Sequence, residues 1–556
     1  MAKLGSKYNL KTLRKSSTGY IDLEIPLNRN VIDLVDSLKS LDELEYVGFN
    51  TKGKYIAFIP DDTRYNEQWY LDKIQAPDGW DYVRGNSCVI VAVLDSGTDW
   101  EHLDLGQGTD TYGNIWNNLG EDVWTDPNNP TTGNGVDDDG NGFIDDHIGW
   151  DFANQNNDSR GINSHGTQVS GIVAAKTHNE RGVAGVAGGS NNQGVQLMPI
   201  GVGDGAPDGA IIDNAIEYAV NNGADVIQLS LSVLQTPDIE AAIQLAENAN
   251  VTIVCASGNE SSSSVNYPAS NLSVIAVGAT DENDKKSTFS NYGSNLFMCA
   301  PGEDILSTSI SNQYVFDDGT SFAAPQVSGT IALMKQINSS LSNDQIRNIL
   351  MNNSDKVGGY NYTNGKSNEL GYGRLNVRRV LLVALPSLVG SDLVCNSENT
   401  YSINDLSLGT SVTWNSSSNI VFPSGNTGSS VSARAYSSTS SGTGWIEATI
   451  NTNGCGEVTL PRKDVWVGTP TFTLLGETAL DPGMPGIVLV DYLGGDYLTQ
   501  GGPTASWSYT GPLDYLNGYN QKAKYRASRT EGGIGFIYAT LSNPCCRTNP
   551  FVWQVK

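Results

Sequence analysis

Basic residues are scarce in this chain: 33 Lys plus Arg stand against 60 Asp plus Glu, for a formal charge of −27. An acidic surface repels phosphates, which argues against nucleic acid and anionic membranes as partners. Long apolar runs are also missing, and none approaches the roughly 20 residues of a membrane span. The opening residues Met1 to Lys7 hold no hydrophobic signal region, so no export signal is visible in this sequence. Cysteine is sparse and odd in number, at seven, so at least one is unpaired within the chain. Cys88, Cys255 and Cys299 sit in or beside apolar strands, where a buried free thiol is the expected state.

What is present divides into four zones. A length of 556 residues exceeds a single core and sets an expectation of about three or four domains. Residues 1–60 read as a small α/β unit, with strands at 20–25, 46–50 and 55–59 and a helix at 31–41. Residues 61–385 alternate short β-branched runs (Val89 to Leu94, Val195 to Ile200, Val226 to Leu231, Val251 to Ala256, Val274 to Ala279) with amphipathic stretches such as 210–220 and 239–249. This alternation predicts an α/β domain with a mostly parallel sheet and helices on both faces.

Beyond Pro386 the texture turns to Ser, Thr, Gly and Asn, and a repeat emerges. Gly444-Trp445-Ile446-Glu447-Ala448-Thr449-Ile450 returns 91 positions later as Gly535-Phe536-Ile537-Tyr538-Ala539-Thr540-Leu541, and Trp414 has a counterpart in Trp507. Two all-β sandwiches, 386–468 and 469–556, are the inference. In the first copy Cys395, Trp414 and Cys455 follow the order of an immunoglobulin-like core, which predicts a Cys395–Cys455 disulfide. The second copy has no match for Cys395, leaving Cys545 and Cys546 adjacent and unassigned.

In the α/β zone, polar residues break out at the ends of apolar runs. Asp95 follows a strand directly, in Val-Leu-Asp-Ser-Gly-Thr, and carboxyl ends of strands are where sites form in open α/β sheets. His165 stands in Asn-Ser-His-Gly-Thr-Gln-Val-Ser-Gly at the entrance to an apolar helix. Asn259 ends another strand, in Val-Cys-Ala-Ser-Gly-Asn-Glu. Ser321 stands in Asp-Asp-Gly-Thr-Ser-Phe-Ala-Ala-Pro-Gln-Val-Ser-Gly, before a further apolar helix. Any one of them is an ordinary cap, core histidine or turn residue. Their joint occurrence is not.

Together these segments resemble the Asp, His and Ser signatures of the subtilisin-like serine protease family, in that family's chain order, and Asn259 matches its oxyanion asparagine. The similarity runs from about Trp69 to Leu382 and includes Val-Ala-Gly-Val-Ala at 183–187, Ala-Pro-Gly-Glu-Asp-Ile at 300–305 and Gly-Tyr-Gly-Arg-Leu-Asn at 371–376. The resemblance implies a secreted or cell-surface endopeptidase acting on polypeptides. In it Ser321 is the nucleophile, His165 the general base and then acid, Asp95 the residue that orients the imidazole, and Asn259 an oxyanion donor. It also implies a primary pocket walled by Ser230-Leu231-Ser232 and Ala256-Ser257-Gly258 with Asn266 at its floor, suited to Leu, Met or Gln rather than Phe or Tyr. Residues 1–60 then correspond to an inhibitory propeptide, the chain's own partner, docked on the catalytic domain and cut near residues 59–64. The C-terminal repeats would serve a surface or a protein partner. Departures from the family pattern are Gln168 and Gln326 in place of His, Phe322 in place of Met, and Ser232 in place of Gly.

Between Asp95 and His165 lie 69 residues, more than compact family members use. The insertion, 106–162, centres on Asp137-Asp138-Asp139-Gly140-Asn141-Gly142-Phe143-Ile144-Asp145-Asp146. Asp137, Asp139, Asn141, the carbonyl of Phe143, and Asp145 fall at alternate positions around Gly142, as in the first nine positions of an EF-hand loop. Ile148 occupies the place of the usual closing Glu, so Asp146 or Asp151 is expected to complete a calcium shell. A second reading of the whole chain, as a catalytically silent, calcium-stabilised adhesin on the same fold, is disfavoured by the intact set of four site residues.

Overall fold

In the computed structural model of the protein the described residues are 58–468, apart from 107–112, 127, 191–193, 205–206, 407–408, 439 and 453–454. Backbone strands are also described within 11–24 and 471–555. Residues 1–57 and 58–556 form two compact units. In the first, strands Lys11–Lys15 and Ile21–Glu24 pair antiparallel with an irregularity between Thr12 and Arg14. The helix expected at 31–41, the strand at 46–50 and most of that at 55–59 lie outside the described residues.

The second unit is organised by a seven-stranded sheet. Its strands are β1 (Ile90–Asp95), β2 (Trp150–Asp151), β3 (Gln196–Gly201), β4 (Val226–Leu229), β5 (Thr252–Ala256), β6 (Ile275–Thr280) and β7 (Met298–Pro301). They lie in the order β2-β3-β1-β4-β5-β6-β7, and every neighbouring pair is parallel. The continuous apolar runs are explained by burial on both sides. Val91, Val93, Val254, Ala256 and Val277 face one core, which holds helices α1 (His165–Ala174) and α4 (Thr320–Ile337). The alternate residues Ala92, Leu94, Ile253, Cys255 and Ala276 face a second core, with α2 (Ile212–Asn221) and α3 (Pro237–Asn248). Each Val, Leu or Ile among them contributes about 1.5–3 kcal/mol on removal from water. All eighteen residues of α4 are buried, so this helix runs through the interior. The subtilisin-like α/β expectation holds, with strand ends within two residues of those read from the sequence. The two edge strands β2 and β7 were not foreseen, because four residues or fewer carry too little pattern.

A hairpin of β8 (Ile305–Ser309) and β9 (Gln313–Asp317) leads directly into α4. Residues 58–62 are built into this unit. The Phe58 ring packs 5.1 Å from His178 and under the Arg84 guanidinium at 4.0 Å, Pro60 is buried, and Asp62 accepts the His178 N–H at 2.8 Å.

Further sheets follow at 387–468 and, as backbone, at 471–555. Trp414 pairs with Ala448 on its neighbour strand, and Trp507 pairs with Ala539. One cysteine expectation is corrected. Cys455 is bonded to Cys88, 367 positions away with a Cα separation of 5.2 Å, and not to Cys395. Cys88 is therefore not a free thiol. A pairing rule confined to one repeat could not find a partner just ahead of β1 in a different zone. The Cys455 carbonyl also accepts a hydrogen bond from Gln336 Nε2 on α4 at 3.0 Å, so the link sits against the α/β core. Cys255 and Cys299 are buried and free, as expected, and burial pushes the Cys255 thiol up to about 12, which keeps it unreactive.

Candidate active site

Asp95 is the last residue of β1, where the sheet's carboxyl edge opens to solvent. Its Oδ1 accepts the Ser96 N–H at 2.7 Å and meets His165 Nδ1 at 2.8 Å. His165 is the first residue of α1, and its backbone N–H is taken by Asn163 Oδ1 at 2.9 Å. Burial pulls the imidazole pKa down, but the Asp95 charge and hydrogen bond, with the more distant Asp317 charge, outweigh it and leave the pKa raised. The Phe322 ring lies 5.5 Å from the imidazole, where the expected Met would have been.

Ser321 is the second residue of α4, where backbone N–H groups have no intrahelical partner. Four residues on, Pro325 has no N–H to give, so the Ser321 carbonyl loses its helical donor. Ser230 Oγ replaces it at 2.7 Å. That hydroxyl in turn accepts from Gln228 Nε2 at 2.9 Å, and Gln228 Oε1 accepts from Ser328 Oγ of α4 at 2.5 Å. A buried polar chain thus ties the Ser321 backbone to β4. Ser321 Oγ is 3.4 Å from the Ser230 carbonyl, a loose contact of the kind common in an unliganded site.

Asn259 follows β5 after a short turn. Its Oδ1 accepts both the N–H and the hydroxyl of Thr320, each at 2.9 Å. The amide is thereby oriented, with Nδ2 next to Gly319: a Cβ added at Gly319 would lie 3.4 Å from it. A directed N–H donor beside the start of α4 is what stabilisation of a developing oxyanion requires.

Asp95, His165, Ser230 and Leu231 line one cleft of about 310 Å³, with Ser96, Gln168, Val202 and Asp317. Ser232 is exposed and outside this lining. Ala256 and Ser257 are buried, and Gly258, at φ +106°, sits against Asn291, Asn266 and Glu260, all closer than 3 Å to any Cβ placed there. Asn266 does not present a free amide: its Nδ2 donates to Glu260 Oε2 at 3.1 Å and its Oδ1 accepts from Asn291 at 3.2 Å. Glu260 was passed over in the sequence because it follows the more conspicuous Asn259.

In the insertion, Asp137 and Asp139 come together with Glu121, their carboxylate oxygens within 4.8 Å of one another. Asp137 accepts the N–H groups of Asn141 and Gly142 at 3.0 and 2.9 Å, as a tight metal loop does. Glu121 is 5% exposed, and its Oε2 is buried without a partner. The other candidates lie outside this cluster, and Asp145 Oδ1 is itself buried without a partner. Asn141 Oδ1 accepts the Phe143 N–H, and the Phe143 ring packs on Trp150, Phe152 and Tyr218. Asp145 Oδ2 accepts from Gly135 N–H at 2.9 Å, and Asp146 accepts from Asn118, Asn141 and Tyr218. Glu121 joins the two aspartates from sixteen residues upstream, a placement that no loop spacing reveals.

The chain matches the model of the subtilase family, peptidase S8, over residues 86–373. It is 34% identical over 324 residues to a thermophilic serine proteinase of Bacillus sp. strain AK1, covering 58% of this chain and 68% of that one. It is 33% identical to thermitase of Thermoactinomyces vulgaris, over 54% of this chain and 94% of that protein. Subtilisin BL of Lederbergia lenta is 36% identical over 53% of this chain and 93% of its own length.

Proposed function

The chain belongs to the subtilase family of serine endopeptidases, and on that premise we propose that it cleaves polypeptides with Asp95, His165 and Ser321 as its triad. Ser321 Oγ attacks the scissile carbonyl and passes its proton to His165 Nε2. Asp95 holds the Nδ1–H tautomer and stabilises the imidazolium. The tetrahedral oxyanion accepts hydrogen bonds from Asn259 Nδ2 and the Ser321 N–H, the latter aided by the positive end of α4. His165 then protonates the leaving amine, and water releases the acyl group by the reverse sequence. The observation that carries this reading is the 2.8 Å contact between His165 Nδ1 and Asp95 Oδ1, in a cleft lined by Ser230, the residue that bonds both the carbonyl and the hydroxyl of Ser321. Hydrolysis of an internally quenched peptide by wild type, lost in His165→Ala without a change in thermal unfolding, is the expected result. Equal hydrolysis by the two proteins would overturn it.

Ser230, Leu231, Ala256, Ser257 and Gly258 wall the primary pocket in this reading, with Asn266 and Glu260 closing it. Calcium binds the insertion through Glu121, Asp137 and Asp139. The donor set is all hard oxygen, and the buried, unpartnered Glu121 Oε2 has no other cation at hand among the described residues. The ion supplies stability to the loop and takes no part in the chemistry. Residues 1–57 act as the inhibitory propeptide. Because Phe58, Pro60 and Asp62 are tied into the catalytic unit, processing falls before Phe58 rather than at 59–64; N-terminal sequencing of the matured protein reads this directly. The C-terminal sheets form two immunoglobulin-like sandwiches that hold the enzyme to a surface or protein partner, in an extracellular setting.

A further inference from the structure

Asp317 ends β9, four residues before Ser321, and its exposed carboxylate lines the same cleft as His165. Its Oδ2 accepts from Gln168 Nε2 at 3.3 Å and its Oδ1 from the Asp318 N–H at 2.9 Å. Both donors are neutral, and among the described residues no Lys or Arg forms an ion pair with it. The cleft lining contains Asp95, Asp317 and His165 but neither Lys nor Arg. Asp95 is committed to His165 and Ser96, which leaves Asp317 as the unused charge in the cleft. Its neighbours reinforce the sign: Asp318 follows it, and Asp204 lies next to the lining, accepting the Asn163 N–H at 3.3 Å.

The cleft is walled from two sets of elements. Ser230 and Leu231, extending from β4, are the strand edge on which the acyl half of a peptide lies in the proposed function. Gln168 of α1 and Asp317 of β9 form the other wall, beyond the imidazole that protonates the leaving amine. We propose that Asp317 is a specificity residue for the leaving-group half of the substrate, selecting Lys or Arg at the first or second position after the cut bond. The inference rests on the proposed peptidase reading. A solvent-exposed carboxylate paired with a flexible cation is screened by salt, so the preference is modest: about two- to fivefold in kcat/KM at low ionic strength.

The test uses the processed, calcium-loaded enzyme and matched quenched peptides that differ only in Lys or Gln at those two positions. The Lys-to-Gln ratio is measured within each enzyme, well above the imidazole range, so that any effect on His165 cancels. Wild type is expected to prefer Lys, with the preference shrinking as salt rises. Asp317→Asn should bring the ratio to about one, and Asp317→Lys should reverse it in favour of a Glu peptide. Equal rates for Lys and Gln peptides in wild type, or a Lys preference surviving in Asp317→Asn, would overturn the assignment while leaving the peptidase reading intact. Failure of wild type to cleave any peptide, together with no covalent labelling of Ser321, would overturn both.

Discussion

The cleft and the acidic insertion both crowd polar groups together, but they are held in different ways. In the cleft, regular elements supply the partners: β1 carries Asp95, α1 carries His165, and the Gln228–Ser230 chain anchors the start of α4. The Asp95–His165 pair and the Ser321 backbone are held before any ligand arrives. In the insertion, residues 106–162 contain eleven acids and a single basic residue, Arg160. That cation pairs with Asp158 and with Glu101, away from the Glu121 cluster. The loop's own N–H groups and amides tie many of the remaining carboxylate oxygens, and Glu121 Oε2 and Asp145 Oδ1 are left over. Asp95 Oδ2 is also buried without a partner, but it belongs to a carboxylate already bonded to His165 and Ser96, whereas Glu121 stands among further carboxylates with no cation beside it.

The comparison can be broken at its strongest point first. Asn259→Ala should lower kcat about 10²–10³-fold, the known cost of losing such a donor in a subtilisin, with little change in KM. An undiminished kcat would mean that the Nδ2 orientation set by Thr320 is unrelated to turnover. Next in size is the metal. Calcium at a hundredfold excess over its dissociation constant stabilises by about 2.7 kcal/mol, so chelation should lower Tm by several degrees and expose 106–162 to nicking. Glu121→Gln should reproduce much of that fall, and identical melting curves with and without chelator would refute the site.

A smaller effect comes from a buried carboxylate that belongs to neither region. Burial, helped by the Asp104 charge, pushes the Asp62 carboxyl up to about 7 despite its hydrogen bond from the His178 N–H. The folded form therefore binds this proton more tightly than the unfolded chain does. The contribution of this group to stability is highest below about pH 4, falls as pH rises towards 7, and then levels. Asp62→Asn should gain about 1–3 kcal/mol above pH 8 and nothing in acid, as read from urea midpoints. A gain independent of pH would show that folding does not shift the Asp62 pKa.

The same contrast explains what could be read from the sequence. Asp95, His165, Asn259 and Ser321 were legible because each stands at the end of an apolar run, inside a local motif. The sheet was legible because burial on both faces leaves continuous β-branched runs. Glu121, Glu260, Asp317 and the Cys88–Cys455 pair were not, since each matters through a neighbour that only the fold supplies. Glu121 meets a loop sixteen residues further on, Asp317 meets Gln168 across 149 positions, and Cys455 crosses 367. Spacing rules carry information along an element and lose it between elements.

The central claim, that Ser321 is an activated nucleophile, is tested most directly by covalent labelling with a fluorophosphonate. The processed, calcium-loaded protein should take up one equivalent, mapped by peptide mass to the segment containing Ser321, with Ser321→Ala unlabelled and His165→Ala labelled far more slowly. No adduct on folded wild-type protein, or an adduct on another residue that persists in Ser321→Ala, would contradict it.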